Sequence, residues 1–276
     1  MSSFVLVTTL CLLAVANFAN SANILVVTPF GTKSHKNVFE PLLQALGQRG
    51  HKVTVIANTK SPNLGANVTE YVPMDINEII GKFPNGFEQR KKGLFSSFFD
   101  FNFVLEKCHT VFQDPEFNRL MNGKYDLVIF NAYLNVCFQG YLAKIGAPFA
   151  FVTSMAAPNT VTTRLGNWLP PSFVPNPFLP LSERMTFLER AQNFLLDAFF
   201  MATLNSYDKV HEAVYRKYLG EDTPGLTEIG KNVSLLLMNS YLNFPSPRPV
   251  LPDVIEVGGM HCVPAKSLPK VITVYQ

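Results

Sequence analysis

The stretch ILVVTPFGTKSHKNVFEPLLQALGQRGHKVTVIA, residues 24–57, has the pattern of a βαβ unit. Ile24–Val27 and Val53–Ala57 are short continuous apolar runs, which are typical of strands covered on both faces of a sheet. Between them, apolar residues recur at helical spacing from Val38 to Leu46, and Arg49-Gly50 supplies a helix stop. This order predicts two parallel strands joined by a right-handed helical crossover.

Runs of the same buried type recur along the rest of the chain. They predict further strands at Val68–Val72, Asp126–Phe130, Phe149–Val152 and Leu235–Met238. Helices are predicted through Phe138, Tyr141 and Leu142 and over Ser182–Tyr218. The pattern therefore indicates an α/β fold with a doubly wound, Rossmann-like parallel sheet and helices on both of its faces.

The composition limits the partners of the chain. Its 276 residues are 47% hydrophobic and carry a net charge of +3, without a basic run that could follow a phosphate backbone. We therefore expect no nucleic-acid partner. The best candidate for a later membrane span, Phe194–Leu204, is about half the length that a spanning helix needs and contains Asp197. We expect no transmembrane helix in the mature chain.

The N-terminus predicts entry into the secretory pathway. Residues 1–21 are apolar and end in the small-residue series Ala19-Asn20-Ser21-Ala22, which indicates a signal peptide cleaved near Ser21 or Ala22. A buried N-terminal helix is the alternative. We expect a protein of the endoplasmic reticulum lumen or a secreted one, with N-glycosylation acceptors at Asn67 and Asn232.

The cysteine count argues against a disulfide framework. Removal of the leader leaves Cys108, Cys137 and Cys262, an odd number without paired spacing. This spacing also matches no zinc site, so we expect neither disulfide nor metal.

Chemistry is expected where strands end and helices begin, because an open parallel sheet has its crevice at the carboxyl ends of its strands. The loop after the first strand, Gly31–His35, contains no GxGxxG and no GxxxxGK[ST] motif. It does contain His35, whose imidazole could act as a general base on a hydroxyl group. A solvated polar loop residue is the alternative interpretation.

Phenylalanines are concentrated between the strands. They cover more than one face of a helix, so Phe95, Phe98 and Phe99 could line an apolar cavity. Packing in the core is the alternative for all of them, including Phe101, Phe103, Phe112 and Phe117.

Several motifs together resemble the animal UDP-glycosyltransferases, particularly the arthropod members. They occur in the family's order at Ser34-His35, Phe39–Leu42, Arg49–Val55, Tyr125–Ile129, Leu165–Trp168, Met238–Ser240, Arg248-Pro249, Pro252–Gly259 and Leu268–Lys270. The resemblance implies a GT-B architecture, in which residues 22–259 form the acceptor-binding domain. It also implies that a second, C-terminal domain holds the UDP-sugar, which is a co-substrate, so no resident cofactor is expected.

In such enzymes a histidine matching His35 takes the acceptor's proton, a carboxylate orients that histidine, and the sugar is transferred with inversion. Depending on how the segment is aligned, the family's acid corresponds to position 131 or position 136, and this chain has Asn131 and Val136 there. The nearby Asp126 lies at the far end of the strand. Asn131 could orient the imidazole by a hydrogen bond, but it carries no charge to stabilise the imidazolium. His35 should therefore be a weaker base than a histidine with a carboxylate partner.

The family continues into a donor domain and a membrane anchor, whereas residues 260–276 match only a truncated interdomain linker. We therefore expect the chain alone to be inactive, and two hypotheses remain. The chain could be part of an enzyme that glycosylates small lipophilic molecules. It could instead be a non-catalytic short form that binds lipophiles or regulates a full-length family member.

Overall fold

A computed structural model describes residues 21–75, 102–132, 134–176, 178–241 and 247–262. Its centre is a seven-stranded sheet with the strand order β3-β2-β1-β4-β5-β6-β7. Every pairing between these strands is parallel. The strands are β1 Asn23–Thr28, β2 Lys52–Ala57, β3 Val68–Tyr71, β4 Leu127–Asn131, β5 Phe149–Thr153, β6 Leu235–Met238 and β7 Val254–Glu256. The α/β, Rossmann-like prediction is confirmed, although β7 was not predicted.

Seven α-helices occur in the described residues, and two short 3-10 helices at Val136–Phe138 and Thr163–Leu165 accompany them. The long helix α6 begins with a capping box, in which Thr186 and Glu189 bond each other's backbone N–H. The helices are α1 Lys33–Gln48, α2 Asn102–Phe112, α3 Pro115–Met121, α4 Gly140–Ile145, α5 Asn159–Thr162, α6 Phe187–Leu219 and α7 Leu226–Gly230.

Alternation along β1 explains why helices cover both faces of the sheet. Leu25 and Val27 belong to one buried cluster, which also holds side chains of α2, α4 and α6. Ile24 and Val26 belong to a second cluster, which is covered by α1. Successive strand residues point to opposite faces, so a strand that is apolar throughout needs two covering layers.

The start of α1 differs from the sequence prediction. The helix begins at Lys33, so His35 lies in its first turn and not in a free loop. The polar residues Lys33–Asn37 carry no apolar periodicity, which is why the pattern located the helix only from Val38 onward. The predicted stop is confirmed, since Arg49 caps the helix and Gly50 has a φ of 87°.

The prediction that the cysteines form no disulfide is wrong. Cys108 in α2 and Cys137 in the first 3-10 helix are bonded, with a Cα–Cα distance of 6.4 Å across 29 residues of sequence. Both cysteines are fully buried. The number and spacing of the cysteines could not show this pairing, because the pairing depends on how α2 packs against the segment after β4.

The predicted phenylalanine pocket falls largely on residues that are not described. Phe95, Phe98 and Phe99 lie outside the described residues, as does the predicted leader up to residue 20. Phe112 and Phe117 belong to the core, where their rings contact Phe138 and Tyr141. In the described part of the chain, no helix combines the length and apolarity needed to cross a membrane.

Candidate functional site

The candidate site lies between β1 and β4, where the order in which successive strands are added to the sheet reverses. The chain continues from β1 to β2 on one side, whereas β4, β5 and β6 follow on the other. In open parallel sheets this switch point opens a crevice at the carboxyl ends of the strands. Thr28 ends β1 and Asn131 ends β4, and the Asn131 Nδ2 donates to the Thr28 Oγ1 at 3.2 Å. This bond joins the carboxyl ends of the two strands, and both residues are buried.

Two buried asparagines hold the segment that follows β1. The Asn135 Oδ1 accepts from the Phe30 backbone N–H at 2.8 Å, and the Asn135 Nδ2 donates to the Phe30 carbonyl at 3.1 Å. From the other side, the Asn58 Nδ2 donates to the Thr32 carbonyl at 2.9 Å. The segment that leads into α1 is thus fixed by the loops after β2 and after β4.

His35 packs against this segment in the first turn of α1. Its backbone N–H bonds the Thr32 carbonyl at 3.0 Å. Gly31 has a φ of 136°, and a Cβ atom there would lie 3.2 Å from the His35 Nδ1. Only glycine supplies this backbone conformation without strain and leaves room for the imidazole.

The surroundings of His35 favour a neutral imidazole. The ring is half-buried, and this burial lowers the pKa of His35 from its usual value of 6.5. The N-terminus of a helix disfavours positive charge and acts in the same direction. A neutral imidazole has a lone pair available, as a general base requires.

Lys36, the next residue, anchors the first turn of α1. Its side chain is 1% exposed, and its Nζ lies 2.5 Å from the Glu70 Oε1 of β3. The same Nζ donates to the Thr59 carbonyl in the loop after β2. These two contacts tie the turn that carries His35 to β3 and to the loop after β2.

Asn131, the predicted replacement for the family's acid, is fully buried at the end of β4. The structure therefore places its neutral amide at the carboxyl edge of the sheet, as its position after the buried apolar run predicts. Asp126 lies at the opposite edge of the sheet, where its Oδ2 accepts from the Asn23 backbone N–H at 2.7 Å. This confirms that Asp126 is remote from the carboxyl end of β4.

An apolar groove lies beside the N-terminal part of α6. Its volume is about 350 Å³, within the range of small-molecule pockets. Trp168, Phe187 and Phe194 expose 55%, 77% and 55% of their surface there. Pro171, Ser172, Arg190 and Ala191 complete the lining.

A small polar cavity lies between the loop after β5 and α6. The Asn159 Nδ2 donates to the Asp197 Oδ2 at 2.8 Å, and burial raises the pKa of this carboxyl. Arg248 lines the same cavity, and burial lowers its pKa. The volume of about 20 Å³ is sufficient for one water molecule.

Sequence reasoning missed Asn58, Asn135 and Lys36. Asn58 directly follows a buried strand and Asn135 lies four residues after another, so both carried a usable signal at the carboxyl edge. Lys36 carried none, since a lysine beside a loop is usually solvated. The two predicted catalytic residues, His35 and Asn131, both lie at the carboxyl edge.

Comparison with known proteins identifies the family. The model of the family described as "UDP-glucoronosyl and UDP-glucosyl transferase" matches residues 22–276. The chain belongs to this family. Among curated relatives it is similar to UDP-glucosyltransferase 2 of Dactylopius coccus, with 28% identity over 91% of this chain and 50% of the relative. It is also similar to human UDP-glucuronosyltransferase 2B17, with 30% identity over 86% of this chain and 49% of the relative.

The chain thus spans about half the length of the curated UDP-glycosyltransferases that it matches. Among solved structures it is similar to CalG4, the calicheamicin glycosyltransferase, with 15% identity and a TM-score of 0.48 over 87% of this chain and 53% of that one. Similarity to TcCGT1 in complex with UDP covers 92% of this chain and 55% of that one, with 12% identity and a TM-score of 0.45.

Proposed function

We propose that residues 22–259 form the acceptor-binding half of a UDP-glycosyltransferase, and that His35 is its general base. The co-substrate is a UDP-sugar held by a second half, and the acceptor is a small lipophilic molecule with a hydroxyl group. The position of His35 carries this proposal. A neutral imidazole at a sheet switch point, held by fixed backbone, suits proton abstraction.

The proposed reaction is one inverting displacement. The His35 imidazole takes the proton of the acceptor hydroxyl while the hydroxyl oxygen forms a bond to the anomeric carbon. The bond from that carbon to the UDP oxygen breaks, and UDP leaves with the electron pair. His35 then releases its proton to solvent.

Asn131 makes this base weaker than a histidine with a carboxylate partner. An amide at the end of β4 can bond the ring but does not stabilise the imidazolium that forms in the transition state. Because of this neutral partner, and because the match spans half of each relative, we propose that residues 22–276 alone bind acceptor without transferring sugar.

The test is a chimaera in which residues 22–276 replace the matching half of the Dactylopius relative. We expect it to release UDP in the presence of phenolic acceptors, and His35→Ala should lower turnover by roughly a hundredfold or more. His51→Ala is the matched control, because the His51 Nδ1 accepts from the Ala22 N–H at the opposite edge of the sheet. Equal turnover of the His35→Ala and parent chimaeras would refute the assignment.

Restoring the acid tests the role of Asn131 in the same chimaera. Asn131→Asp should raise kcat if the amide is a poor replacement for a carboxylate, whereas Asn131→Ala should lower it. A kcat that neither variant changes would exclude Asn131 as the partner of His35.

The second candidate function is lipophile binding without catalysis. The apolar groove with Trp168, Phe187 and Phe194 favours it. A hydrophobic fluorophore should then bind residues 22–276 saturably, and Phe194→Asp should weaken binding. Val210→Asp, an exposed position elsewhere on α6, is the control. Non-saturable fluorescence would refute a binding site in the groove.

The compartment remains a proposal as well. We propose the endoplasmic reticulum lumen or secretion, and both acceptor asparagines are exposed, as glycosylation requires. Expression in insect cells with and without a glycosidase should show a mass shift that the Asn67→Gln and Asn232→Gln double variant lacks. The absence of any shift would refute glycosylation.

A further inference from the structure

The N-terminal half of α6 presents a continuous apolar surface to solvent. Leu188 and Leu195 expose 77% and 67% of their surface. At about 100° per residue, the exposed apolar residues of this half lie within an arc of about 120°. We call them the apolar face, and they are Phe187, Leu188, Phe194, Leu195, Ala198 and Ala202. A contiguous apolar patch of this kind marks a surface that binds another molecule or a membrane.

Aromatic rings lie at one border of the apolar face. Trp168, Phe187 and Phe194 line the same groove, and all three are exposed. Tryptophan and phenylalanine are the residues that interfacial helices place at the boundary between lipid headgroups and acyl chains. The residue types of this surface therefore suit the boundary of a lipid bilayer.

The acids of α6 contribute no exposed negative charge beside the apolar face. Asp197 and Asp208 are buried. Glu189 closes the capping box at the start of the helix, and Glu212 accepts from the Leu226 backbone N–H at 2.8 Å. All four acids are thus buried or bonded within the fold.

The exposed charges of α6 are all positive. They are Arg190, Lys209 and Lys217. Apolar side chains flanked by cations fit an anionic lipid surface, because the apolar groups enter the boundary region while the cations attract the headgroups. A second copy of the chain fits less well, since two such faces would bring cations of one copy against cations of the other in either orientation.

We propose that residues 22–276 bind reversibly to anionic lipid surfaces through the apolar face, with α6 lying in the plane of the surface. Leu188 and Leu195 enter the boundary beneath the headgroups, and Arg190 and Lys209 contact the headgroups at the two ends of the face. Such binding needs neither a UDP-sugar nor His35, so it is independent of the proposed transfer reaction.

Sedimentation with vesicles tests the binding. Residues 22–276 should sediment with phosphatidylcholine vesicles that contain phosphatidylserine, and should bind vesicles of phosphatidylcholine alone roughly tenfold or more weakly. Added salt should release the bound chain, because it screens the attraction between the cations and the headgroups. Absence of binding, or equal binding to both kinds of vesicle, would overturn the proposal.

Trp168 reports which surface meets the lipid, because it is the single tryptophan of the sequence. On binding, its fluorescence should shift to shorter wavelength and should be quenched by phosphatidylcholine that carries bromine on its acyl chains. A chain that sediments with vesicles without either change would bind through another surface, which would refute the role of the apolar face.

Variants locate the binding on α6. Leu188→Asp and Leu195→Asp should each weaken vesicle binding by roughly tenfold or more, since each replaces an inserted apolar group by a charge that anionic lipid repels. Ile255→Asp is the matched control, because Ile255 is an exposed apolar residue on β7. Unchanged binding of both leucine variants, or equal weakening by Ile255→Asp, would contradict the assignment.

Two further readouts separate this binding from a folding defect and from the groove. Both leucines are exposed, so their variants should keep the Tm of the parent chain. Neither leucine lines the groove, so both variants should still bind the hydrophobic fluorophore. Loss of vesicle binding only together with a lowered Tm would refute a direct contact with lipid.

Other occupants of the apolar face would give different results. The chimaera with the Dactylopius relative, truncated before any segment long enough to span a membrane, should still bind the anionic vesicles. Failure of this chimaera to bind would assign the face to the second half of the enzyme. Self-association without lipid that Leu195→Asp abolishes, in a chain that does not bind vesicles, would assign the face to a second copy. Either result would overturn the proposal.

Discussion

The side-chain amide of Asn135 bonds both backbone polar groups of Phe30, although 105 residues separate the two in sequence. Its Oδ1 accepts from the Phe30 N–H at 2.8 Å and its Nδ2 donates to the Phe30 carbonyl at 3.1 Å. Phe30 is 1% exposed, so water cannot replace either bond. This pair connects the loops after β1 and β4 across the switch point where His35 lies.

Asn135→Ala should therefore be strongly destabilising. The substitution leaves two buried backbone groups unpaired, at about 1–3 kcal/mol each, so we expect a loss of about 2–6 kcal/mol. Urea unfolding measures this loss. Asn122→Ala removes one exposed hydrogen bond to the Asn118 carbonyl and should cost no more than about 0.5 kcal/mol. Similar losses in the free energy of unfolding for both variants would show that the contact with Phe30 stabilises the fold no more than an exposed hydrogen bond does.

The imidazole of His35 should titrate below pH 6.5. Burial lowers the pKa of His35, so the unfolded chain binds this proton more readily than the folded chain. The contribution of His35 to stability is thus present above pH 6.5 and is lost as the pH falls through the lower folded pKa. NMR titration, with His35→Gln to assign the signal, measures the midpoint. A midpoint at or above 6.5 would contradict the burial argument.

Gly31→Ala should perturb His35 as well as the backbone. A Cβ at Gly31 would lie 3.2 Å from the His35 Nδ1, whereas one at Gly65 meets nothing within 4 Å, although both glycines have positive φ. Both alanine variants should lose about 1–2 kcal/mol through backbone strain. Only Gly31→Ala should shift the His35 NMR signals, and a shift in Gly65→Ala alone would refute the contact.

Reduction of the Cys108–Cys137 disulfide should lower stability. Its 29-residue separation corresponds to about 3–4 kcal/mol in the loop-entropy account. Urea unfolding of residues 22–276 with and without reductant, in metal-free buffer, measures the loss. Thiol counting in denaturant should find one free cysteine before reduction and three afterwards. Three thiols in the untreated chain would show that the bond does not form.

Separating Lys36 from Glu70 should cost more than removing both charges. Lys36→Met or Glu70→Gln leaves a buried charge without its partner, at about 3–5 kcal/mol, whereas the double variant should recover part of this loss. A double-mutant cycle measures the coupling. The exposed Arg119–Glu116 pair, at 67% and 42% exposure, is the matched control and should contribute less than about 1 kcal/mol. Equal coupling in both pairs would refute the role of burial.

The sequence by itself determined the sheet and the place of the chemistry. Buried strands such as Ile24–Val27 are visible as apolar runs, because a strand covered on both faces has few polar positions. Their alternation with helices implied parallel pairing, and parallel pairing placed His35 and Asn131 at one edge. The predicted start of α1 was late because the polar first turn has no apolar periodicity.

Only the tertiary structure decided which distant residues meet. The contacts of Asn135 with Phe30, Cys108 with Cys137 and Lys36 with Glu70 depend on how loops and helices pack against the finished sheet. Local periodicity records which face of an element is buried, but it does not record the partner on that face. The sequence therefore predicted a histidine at the mouth of the sheet, while packing supplied the contacts that hold it there and keep it neutral.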